Sequence, residues 1–327
     1  MVFLINFQMD GFLFIDKEKG MTSFDVIRIL KRKFKAGGVG FVVADSMSWS
    51  YEGLNAKVCN LWSAGSSEAV KIGHSGTLDP IATGLLVVGI GEATKLLEFL
   101  LGMDKTYEAE AFFGKISDTF DADGKIEDMV GIEPISLNVI KKVVQEKFIG
   151  EIEQFPPKFS AKKIGGKRAY DLARSGEEFS LKSSKITIHD FKIISFGWPI
   201  LRFVVTGGSG MYVRSLIHDL GQVLGCGAYM SGLRRMKIGE FLVEDAVKVD
   251  DADQKHGFFP IEEVFKRFPS VELNEDEFND LGFGKFVLNK KNVQEEVFFA
   301  KYKEKIVGVC ELCKDGEFIK FKKRLMR

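Results

Sequence analysis

Strand-like and helix-like hydrophobic patterns alternate along residues 11–240 of this 327-residue chain, but without a regular strand–helix–strand repeat. Residues 105–113 alternate apolar and polar side chains with the period of two that is typical of a half-buried strand. Residues 24–34 place apolar side chains at helical spacing, and Thr22 or Ser23 is positioned to cap that helix. This irregular mixture predicts an α/β (α+β) fold built on a mixed sheet, and not a doubly wound parallel one.

The remaining patterns divide the chain into a large and a small domain. Further strands are predicted at residues 11–15, 84–90, 186–196 and 201–206, and further helices at residues 92–101, 138–147 and 211–224. After about Lys255 the pattern changes to short strands separated by turns, at residues 298–302, 306–312 and 318–321. Short strands of this kind are typical of a small β-barrel. We therefore expect a boundary near residues 251–256, between domains 1–252 and 253–327.

Composition indicates a globular protein, because 45% of the residues are hydrophobic and 28% are charged. No stretch approaches the ~18 uninterrupted apolar residues of a membrane helix. The N-terminus lacks the basic region and cleavage site of a signal peptide, although Met9 is an alternative start. The four cysteines are therefore expected to stay reduced in a cytoplasmic protein. Cys310 and Cys313 have metal-ligand spacing, but no second pair completes a zinc site, so we expect no metal.

Charge is balanced overall but clustered locally. Lysine plus arginine equals aspartate plus glutamate, 46 against 46, so the net charge does not point to a nucleic-acid partner. Basic side chains nevertheless gather in three segments, at residues 158–174, 234–237 and 320–327. Such clusters can contact phosphate groups, although each by itself is also typical of a solvated face.

Asp79 lies in a run of small and flexible residues, HSGTLDP at residues 74–80, and directly precedes Pro80. Because proline disfavours the helical conformation in the residue before it, we expect Asp79 on a shaped loop. A carboxylate presented in this way can act as a nucleophile or as a general base. An ordinary turn or capping residue is the alternative.

Seven motifs follow one another in a fixed order around this loop. They are DKEKGMTSFDV (16–26), GHSGTLDPIATGLL (73–86), GEATK (91–95), DKTYEA (104–109), QFPPKFSAKKIGGKRAYDLARSG (154–176), GMYVRSLIHDLG (210–221) and CGAYMSGLRRM (226–236). The series resembles the bacterial-type tRNA pseudouridine synthase B family, which isomerises a uridine at position 55, in the T-arm loop. The resemblance implies the mixed, largely antiparallel sheet of the pseudouridine synthase fold, a C-terminal PUA-like β-barrel, and no cofactor.

The same resemblance assigns the site residues. Asp79 is implied as the essential nucleophile or base, Arg214 as the arginine that pairs with it, and Tyr107 as the ring that stacks on the target base. The other implied substrate contacts are His74, which enters the space left by the flipped base, Tyr212 and Leu233, which line the pocket, and Lys17 and Lys95, which lie around it.

RNA binding is implied at a mobile thumb of about residues 153–176. Its candidate phosphate contacts are Lys158, Lys162, Lys163, Lys167 and Arg168. The PUA-like domain is implied to grip the acceptor side of tRNA. Residues 37–69 separate the first helix from the catalytic loop as an insertion, which we interpret as a surface loop, with an added RNA or protein contact as the alternative. We expect a monomer without an obligate protein partner.

Other functions fit the sequence less well. Guide-RNA-dependent synthases of the dyskerin kind share the catalytic core, but the thumb is bacterial in style and no long lysine-rich tail is present. A non-catalytic tRNA-binding or folding protein would not need Asp79, Tyr107 and Arg214 together. A glycosidase needs two carboxylates, whereas the motifs supply one. Residues 121–124, DADG, resemble the start of a calcium loop but lack its terminal glutamate, and we interpret them as a turn.

Overall fold

The computed structural model describes residues 10–36, 71–159, 163–164, 167–168, 179, 181–253 and 255–325. The proposed insertion at residues 37–69 lies outside the described residues, as do Lys162 and much of the thumb. No described helix is both long and apolar enough to cross a bilayer.

Fourteen strands are described up to residue 260. They are β1 (Gly11–Lys17), β2 (Ile72–His74), β3 (Thr83–Ile90), β4 (Lys105–Phe113), β5 (Lys115–Ser117), β6 (Ile126–Asp128), β7 (Gly150–Gln154), β8 (Lys163–Ile164), β9 (Lys167–Arg168), β10 (Ser184–Gly197), β11 (Ile200–Gly207), β12 (Ala228–Ile238), β13 (Phe241–Leu242) and β14 (Phe258–Pro260). Ten of them form one sheet, in the order β14-β1-β3-β12-β4-β11-β10-β7, with β13 on β12 and β2 on β3. Among the described pairs of this sheet, β3 and β12 are parallel and the others antiparallel. The predicted mixed, largely antiparallel sheet is confirmed.

Among the described residues, four α-helices accompany this sheet: α1 (Ser23–Ala36), α2 (Leu97–Gly102), α3 (Leu137–Lys147) and α4 (Val213–Val223). Apolar side chains of α1, α3 and α4 share one core with alternate residues of β4, because successive strand residues point to opposite faces. Helix α1 is capped by Thr22 and not by Ser23: Thr22 Oγ1 accepts from the amide of Asp25 at 3.0 Å, and Asp25 Oδ2 accepts from the amide of Thr22 at 2.8 Å.

Two helix predictions need correction at their ends. The predicted helix at residues 92–101 is a 3-10 helix (Gly91–Leu96) followed by α2. The helix predicted at 211–224 begins at Val213, because Tyr212 is in an extended conformation at its N-cap position. Both differences concern how a helix starts or ends, which hydrophobic periodicity defines poorly.

The C-terminal part is a second, curled sheet that forms a half-barrel. Its elements are β15 (Ser270–Glu272), β16 (Val287–Leu288), β17 (Val297–Tyr302), β18 (Lys305–Cys313) and β19 (Phe318–Arg324), with the helices α5 (Ile261–Val264) and α6 (Glu275–Gly282). The order is β15-β17-β18-β19-β16. The three strands predicted from the short apolar runs are all present.

A shared core joins the two sheets. Phe12 and Phe14 of β1 lie in the same apolar cluster as Phe265, Phe299 and Leu325 of the C-terminal part. Strand β14 also pairs with β1. Hydrogen bonding therefore places β14 in the main sheet, and the boundary expected between residues 252 and 253 stays a prediction.

Candidate active site

The loop that carries Asp79 is fixed by backbone contacts along its length. The amide of Ser75 donates to the carbonyl of Val87 at 2.9 Å, at the start of the loop. Ser23 Oγ donates to the carbonyl of Leu78 at 3.1 Å and accepts from the amide of Leu78 at 2.8 Å. After Asp79, the carbonyl of Pro80 accepts from the β1–α1 turn. These contacts hold the residues on both sides of Asp79, so its carboxylate is presented from a rigid support.

Arg235 is a buried residue that hydrogen-bonds to the backbone of the same loop and of β3. Its side chain is 1% exposed, and it donates from Nε to the carbonyl of Leu85 at 2.7 Å and from Nη2 to the carbonyl of Gly76 at 3.1 Å. Gly84 permits this packing, because a Cβ there would lie 2.3 Å from the Arg235 carbonyl oxygen. Arg234 is paired with Asp16 at 2.7 and 2.9 Å. The interpretation of this basic segment as a phosphate contact is therefore wrong for Arg235, which has a structural position.

Asp79 and Arg214 form a two-point ion pair. Arg214 Nε lies 3.0 Å from Asp79 Oδ2, and Arg214 Nη2 donates to Asp79 Oδ1 at 3.1 Å. The arginine side chain is 6% exposed, whereas the aspartate side chain is 33% exposed. Parallel N–H···O bonds of this kind fix the direction of a carboxylate as well as its charge. The structure thus brings together the two residues that the motifs assigned to each other, and leaves the carboxylate accessible.

A second carboxylate, which the sequence interpretation missed, contacts the same guanidinium. Asp121 Oδ2 lies 3.3 Å from Arg214 Nη1, and its side chain is 5% exposed. Thr119 Oγ1 and the amide of Asp123 donate to Asp121 Oδ1 at 2.6 and 3.0 Å. Residues 121–124 do form the expected turn, and that turn carries the buried carboxylate of Asp121. No spacing or periodicity signal links Asp121 to Arg214, because only the tertiary fold brings them together.

Arg214 also reaches the base of the thumb. Its Nη2 donates to the carbonyl of Phe159 at 3.0 Å. Beside it, Gln154 binds the backbone of Tyr212 twice, donating to the carbonyl at 3.0 Å and accepting from the amide at 2.8 Å. Gln154 is 2% exposed. The first residues of the thumb and the start of α4 are therefore fastened together at the site.

Burial governs the protonation of the charged groups around Asp79. Desolvation raises the pKa of Asp79 above its ordinary value; Arg214 and Lys17 oppose this rise, and Asp121 adds to it. Lys17 is fully buried, and its Nζ donates to the carbonyl oxygens of Met21 at 2.7 Å and Glu18 at 3.0 Å. Burial lowers the pKa of Lys17 to about 8, although Asp79 acts in the opposite direction. The site therefore contains a carboxyl group with a raised pKa and an ammonium group with a lowered one.

The other predicted substrate contacts lie on the elements around the loop. Tyr107 lies on β4 in the main core and is 8% exposed. Its register partners on the neighbouring strands are Val205 of β11 and Arg235 of β12. Leu233 lies on β12 and lines a cleft of about 280 Å³, which also includes Ile81. His74 is the last residue of β2, directly before the loop. Tyr212 is the N-cap of α4, two residues before Arg214. Their contacts with a substrate stay predictions.

Lys95 is held by contacts away from Asp79. Its Nζ lies 2.5 Å from Glu92 Oε2 and donates to the carbonyl of Arg324 at 2.9 Å, at the junction with the C-terminal sheet. Of the thumb residues, Lys158 is exposed, and the pairing of β8 with β9 sets Lys163 opposite Arg168. Lys167 follows on β9. Their roles, and that of Lys162, also stay predictions.

The described residues contain no group of three or more His, Cys, Asp or Glu side chains arranged to hold a metal. Cys310 lies in the C-terminal core with 0% exposure, and burial raises the pKa of its thiol to about 12. Cys310 is buried and Cys313 is half-buried on β18.

Two family models match adjoining parts of this chain. The model of the TruB family pseudouridylate synthase N-terminal domain matches residues 65–213, and that of the tRNA pseudouridylate synthase B C-terminal domain matches residues 214–258. The tRNA pseudouridine synthase B of Aquifex aeolicus is 38% identical over 93% of this chain and 96% of its own length. That of Clostridium kluyveri is 34% identical over 92% of this chain and 91% of its own length.

Solved structures show the same fold at lower sequence identity. A chain of an H/ACA ribonucleoprotein bound to a substrate RNA containing 2′-deoxyuridine superposes with a TM-score of 0.64 and 19% identity, covering 97% of this chain and 85% of its own. A chain of a Cbf5-Nop10-Gar1 complex gives 0.65 and 21%, with the same coverage. These structural similarities show the fold alone. The family models and the bacterial relatives show that the chain belongs to the TruB family of pseudouridylate synthases.

Proposed function

We propose that this protein isomerises uridine to pseudouridine in the T-arm loop of tRNA, at position 55, with Asp79 as the essential nucleophile or base. The ion pair between Asp79 and Arg214 carries the proposal. An accessible carboxylate is held through both oxygens by a buried guanidinium, and Asp79 lies within the motif GHSGTLDPIATGLL. Relatives that are 31–38% identical over most of the chain and are named tRNA pseudouridine synthase B support tRNA as the substrate.

The isomerisation conserves all atoms and needs no redox partner. The N1–C1′ bond breaks, the base turns, a C5–C1′ bond forms, and the proton displaced from C5 is replaced by one on N1. Asp79 can serve this sequence by attacking the sugar, by attacking the base or by removing a sugar proton. Each role requires an ionised carboxylate, which the Arg214 guanidinium stabilises and orients.

Asp121 acts in this proposal as a positioning residue. Its carboxylate pairs with Nη1 of the guanidinium that holds Asp79. A buried arginine with two carboxylate partners is less free to rotate than one with a single partner. Asp121 therefore fixes Arg214, and through it the direction of the Asp79 oxygens.

The target base lies inside a folded RNA loop, so it must leave the stack before Asp79 can reach it. Tyr107 is proposed to stack on the extruded base, Tyr212 and Leu233 to line its pocket, and His74 to occupy the vacated space. The thumb residues are proposed to bind phosphate groups, and Gln154 and Phe159 anchor the thumb next to Asp79. These contacts support an arrangement in which the proposed RNA-binding segment begins next to the proposed catalytic carboxylate.

The decisive experiment uses the purified protein alone with a T-arm stem-loop RNA and with full tRNA, followed by mapping of pseudouridine. We expect one modified position, in the T-arm loop, and none in a matched RNA with cytidine at that position. Bound but unmodified RNA would contradict the proposal. Modification that appears only after a guide RNA is added would instead support the dyskerin-like alternative.

A further inference from the structure

Helix α1 has one exposed face, which begins beside the catalytic loop. Among the side chains described from Ser23 to Phe34, four are exposed: Phe24, Arg28, Lys31 and Arg32. Their spacing of four, three and one residues puts them on one side of the helix. Val26, Ile27 and Leu30 are buried against the main core on the other side. We name the four exposed residues the α1 face.

This face is basic along its length and apolar at one end. The helix contains five basic residues and a single acidic one, Asp25. Asp25 is already engaged, since it caps the helix with Thr22 and pairs with Arg28. Among the described residues, no ion pair involves Lys31 or Arg32. The α1 face therefore presents two unneutralised cations behind an aromatic ring.

The apolar end lies closest to Asp79. Phe24 is 66% exposed, although it follows Ser23, which is bound twice to Leu78 in the catalytic loop. The turn before the helix is also bound to that loop, because the amide of Gly20 donates to the carbonyl of Pro80 at 2.8 Å. At 1.5 Å per residue, the face then extends about 12 Å away from the loop. The helix is thus a fixed extension of the catalytic loop.

We propose that the α1 face binds the RNA whose target uridine is held at Asp79, and this inference rests on the proposed function. Phosphate groups complement Lys31 and Arg32 without requiring a matching set of acidic side chains. An exposed ring at the catalytic end offers a stacking platform for a nucleotide that neighbours the flipped one. A single nucleic-acid strand complements both ends of the face, since it carries phosphate groups for the cations and bases that can stack on the ring.

The cations are tested by the double substitution Lys31→Ala/Arg32→Ala, with Lys141→Ala/Lys142→Ala as the control. The control removes the same charge from two adjacent exposed positions of another helix, α3. Binding of a labelled T-arm stem-loop is measured at several salt concentrations. We expect the α1 variant to flatten the plot of log affinity against log salt by about 0.7–0.9 for each lost phosphate contact. The control is expected to keep the wild-type slope.

Equal slopes for the two double variants would overturn the inference. The proposed function would survive that result, because the wild-type protein would still bind and modify the RNA. Failure of the wild-type protein to bind or modify T-arm RNA would contradict the proposed function itself. The two failures are therefore distinguishable within one set of titrations.

The ring is tested by Phe24→Ala, with Phe283→Ala as the control, because Phe283 is 82% exposed on the C-terminal part. The RNA is again the labelled T-arm stem-loop, which lacks the acceptor arm implied to contact the C-terminal part. We expect Phe24→Ala to weaken its binding at least about fivefold, as loss of a stacking platform does, while Phe24→Trp and Phe283→Ala retain binding. Binding unchanged by Phe24→Ala would contradict the assignment. Sedimentation is measured alongside: a shift in oligomeric state in Phe24→Ala would identify a second protein copy, and not RNA, as the occupant.

Discussion

Charged side chains are buried around Asp79 but exposed on the C-terminal sheet. Around Asp79, the side chains of Arg214 and Asp121 are 6% and 5% exposed, and Lys17 is fully buried. On the C-terminal sheet, Glu311 pairs with Lys320 and Lys322 at the surface, with all three side chains 28–44% exposed. In the first network the Arg214 guanidinium has two carboxylate partners, and in the second the Glu311 carboxylate has two lysine partners. The two networks therefore differ mainly in burial.

Burial changes what such a network can do. Removing charges from water costs several kcal/mol per ion, so a buried cluster is a weak source of stability. In return, low polarity strengthens each remaining interaction and shifts the pKa values of the groups involved. Exposed pairs are typically worth about 0–1 kcal/mol. The comparison indicates that the buried network acts mainly on the orientation and protonation of its own groups, whereas the exposed network has little effect on either.

The largest effect is expected from Asp79→Asn. Loss of the nucleophile or base should lower turnover by at least about 10³-fold. RNA affinity should change less than about tenfold, or ~1.4 kcal/mol, because many other contacts hold the RNA. Single-turnover pseudouridine formation and equilibrium RNA binding measure the two quantities. Turnover by a mutant preparation that is free of wild-type enzyme would remove Asp79 from the mechanism.

Asp121→Asn should have the next largest effect, because Arg214 loses one of the two carboxylates that orient it. We expect kcat to fall about 10²-fold, as displacement of a catalytic group by about 1 Å can produce, with little change in KM. The matched control is Asp123→Asn, which makes the same charge change at an exposed position of the same turn. Equal kinetics for the two variants would show that the Arg214–Asp121 contact is only structural.

A smaller effect concerns pH. Burial raises the pKa of Asp79, so activity should fall on acidification at a higher pH than an ordinary aspartate would give. Lys17 opposes this rise, and Lys17→Met should therefore move the acidic limb of kcat/KM to still higher pH. Lys19→Met, at an exposed position two residues away, is the control. A limb that stays in place in Lys17→Met would show that Lys17 does not act on Asp79.

The smallest effect is expected in the C-terminal sheet. Glu311→Gln removes both surface ion pairs and should change the free energy of unfolding by less than about 1 kcal/mol. Denaturant titration at low and high salt measures this quantity. A loss of several kcal/mol would contradict the comparison between the buried and the exposed network.

The sequence predicted those parts of the fold and site that local patterns encode. The alternation at residues 105–113 predicted β4, and Pro80 predicted a loop at Asp79. The pairing of Asp79 with Arg214 came from the ordered motifs, since no local signal joins residues so far apart. The structure adds Asp121 and the burial of Arg235, because both depend on how distant strands and turns meet.

Basic residues show the same limit. The sequence placed Arg234 and Arg235 in one basic segment, with phosphate contact and a solvated face as the alternatives. The structure separates them: Arg234 is paired with Asp16, and Arg235 is buried against the carbonyl of Leu85. The basic residues of α1 do lie close together in the sequence, from Lys31 to Lys35. The structure separates them, because Lys31 and Arg32 are exposed whereas Lys33 Nζ donates to backbone carbonyls. Helical geometry also brings Phe24 and Arg28 to the exposed side, which the sequence order does not show.

Arg214 donates to the carboxylate of Asp79 and also to the carbonyl of Phe159, in the first part of the proposed thumb. Thermodynamic linkage then runs both ways: a change that removes the Phe159 carbonyl from Arg214 alters the affinity of Asp79 for a proton, and protonation of Asp79 alters the hold of Arg214 on that carbonyl by the same free energy. If RNA binding displaces Phe159, the pKa of Asp79 differs between the free and the RNA-bound protein, and the affinity for RNA depends on pH to the matching extent.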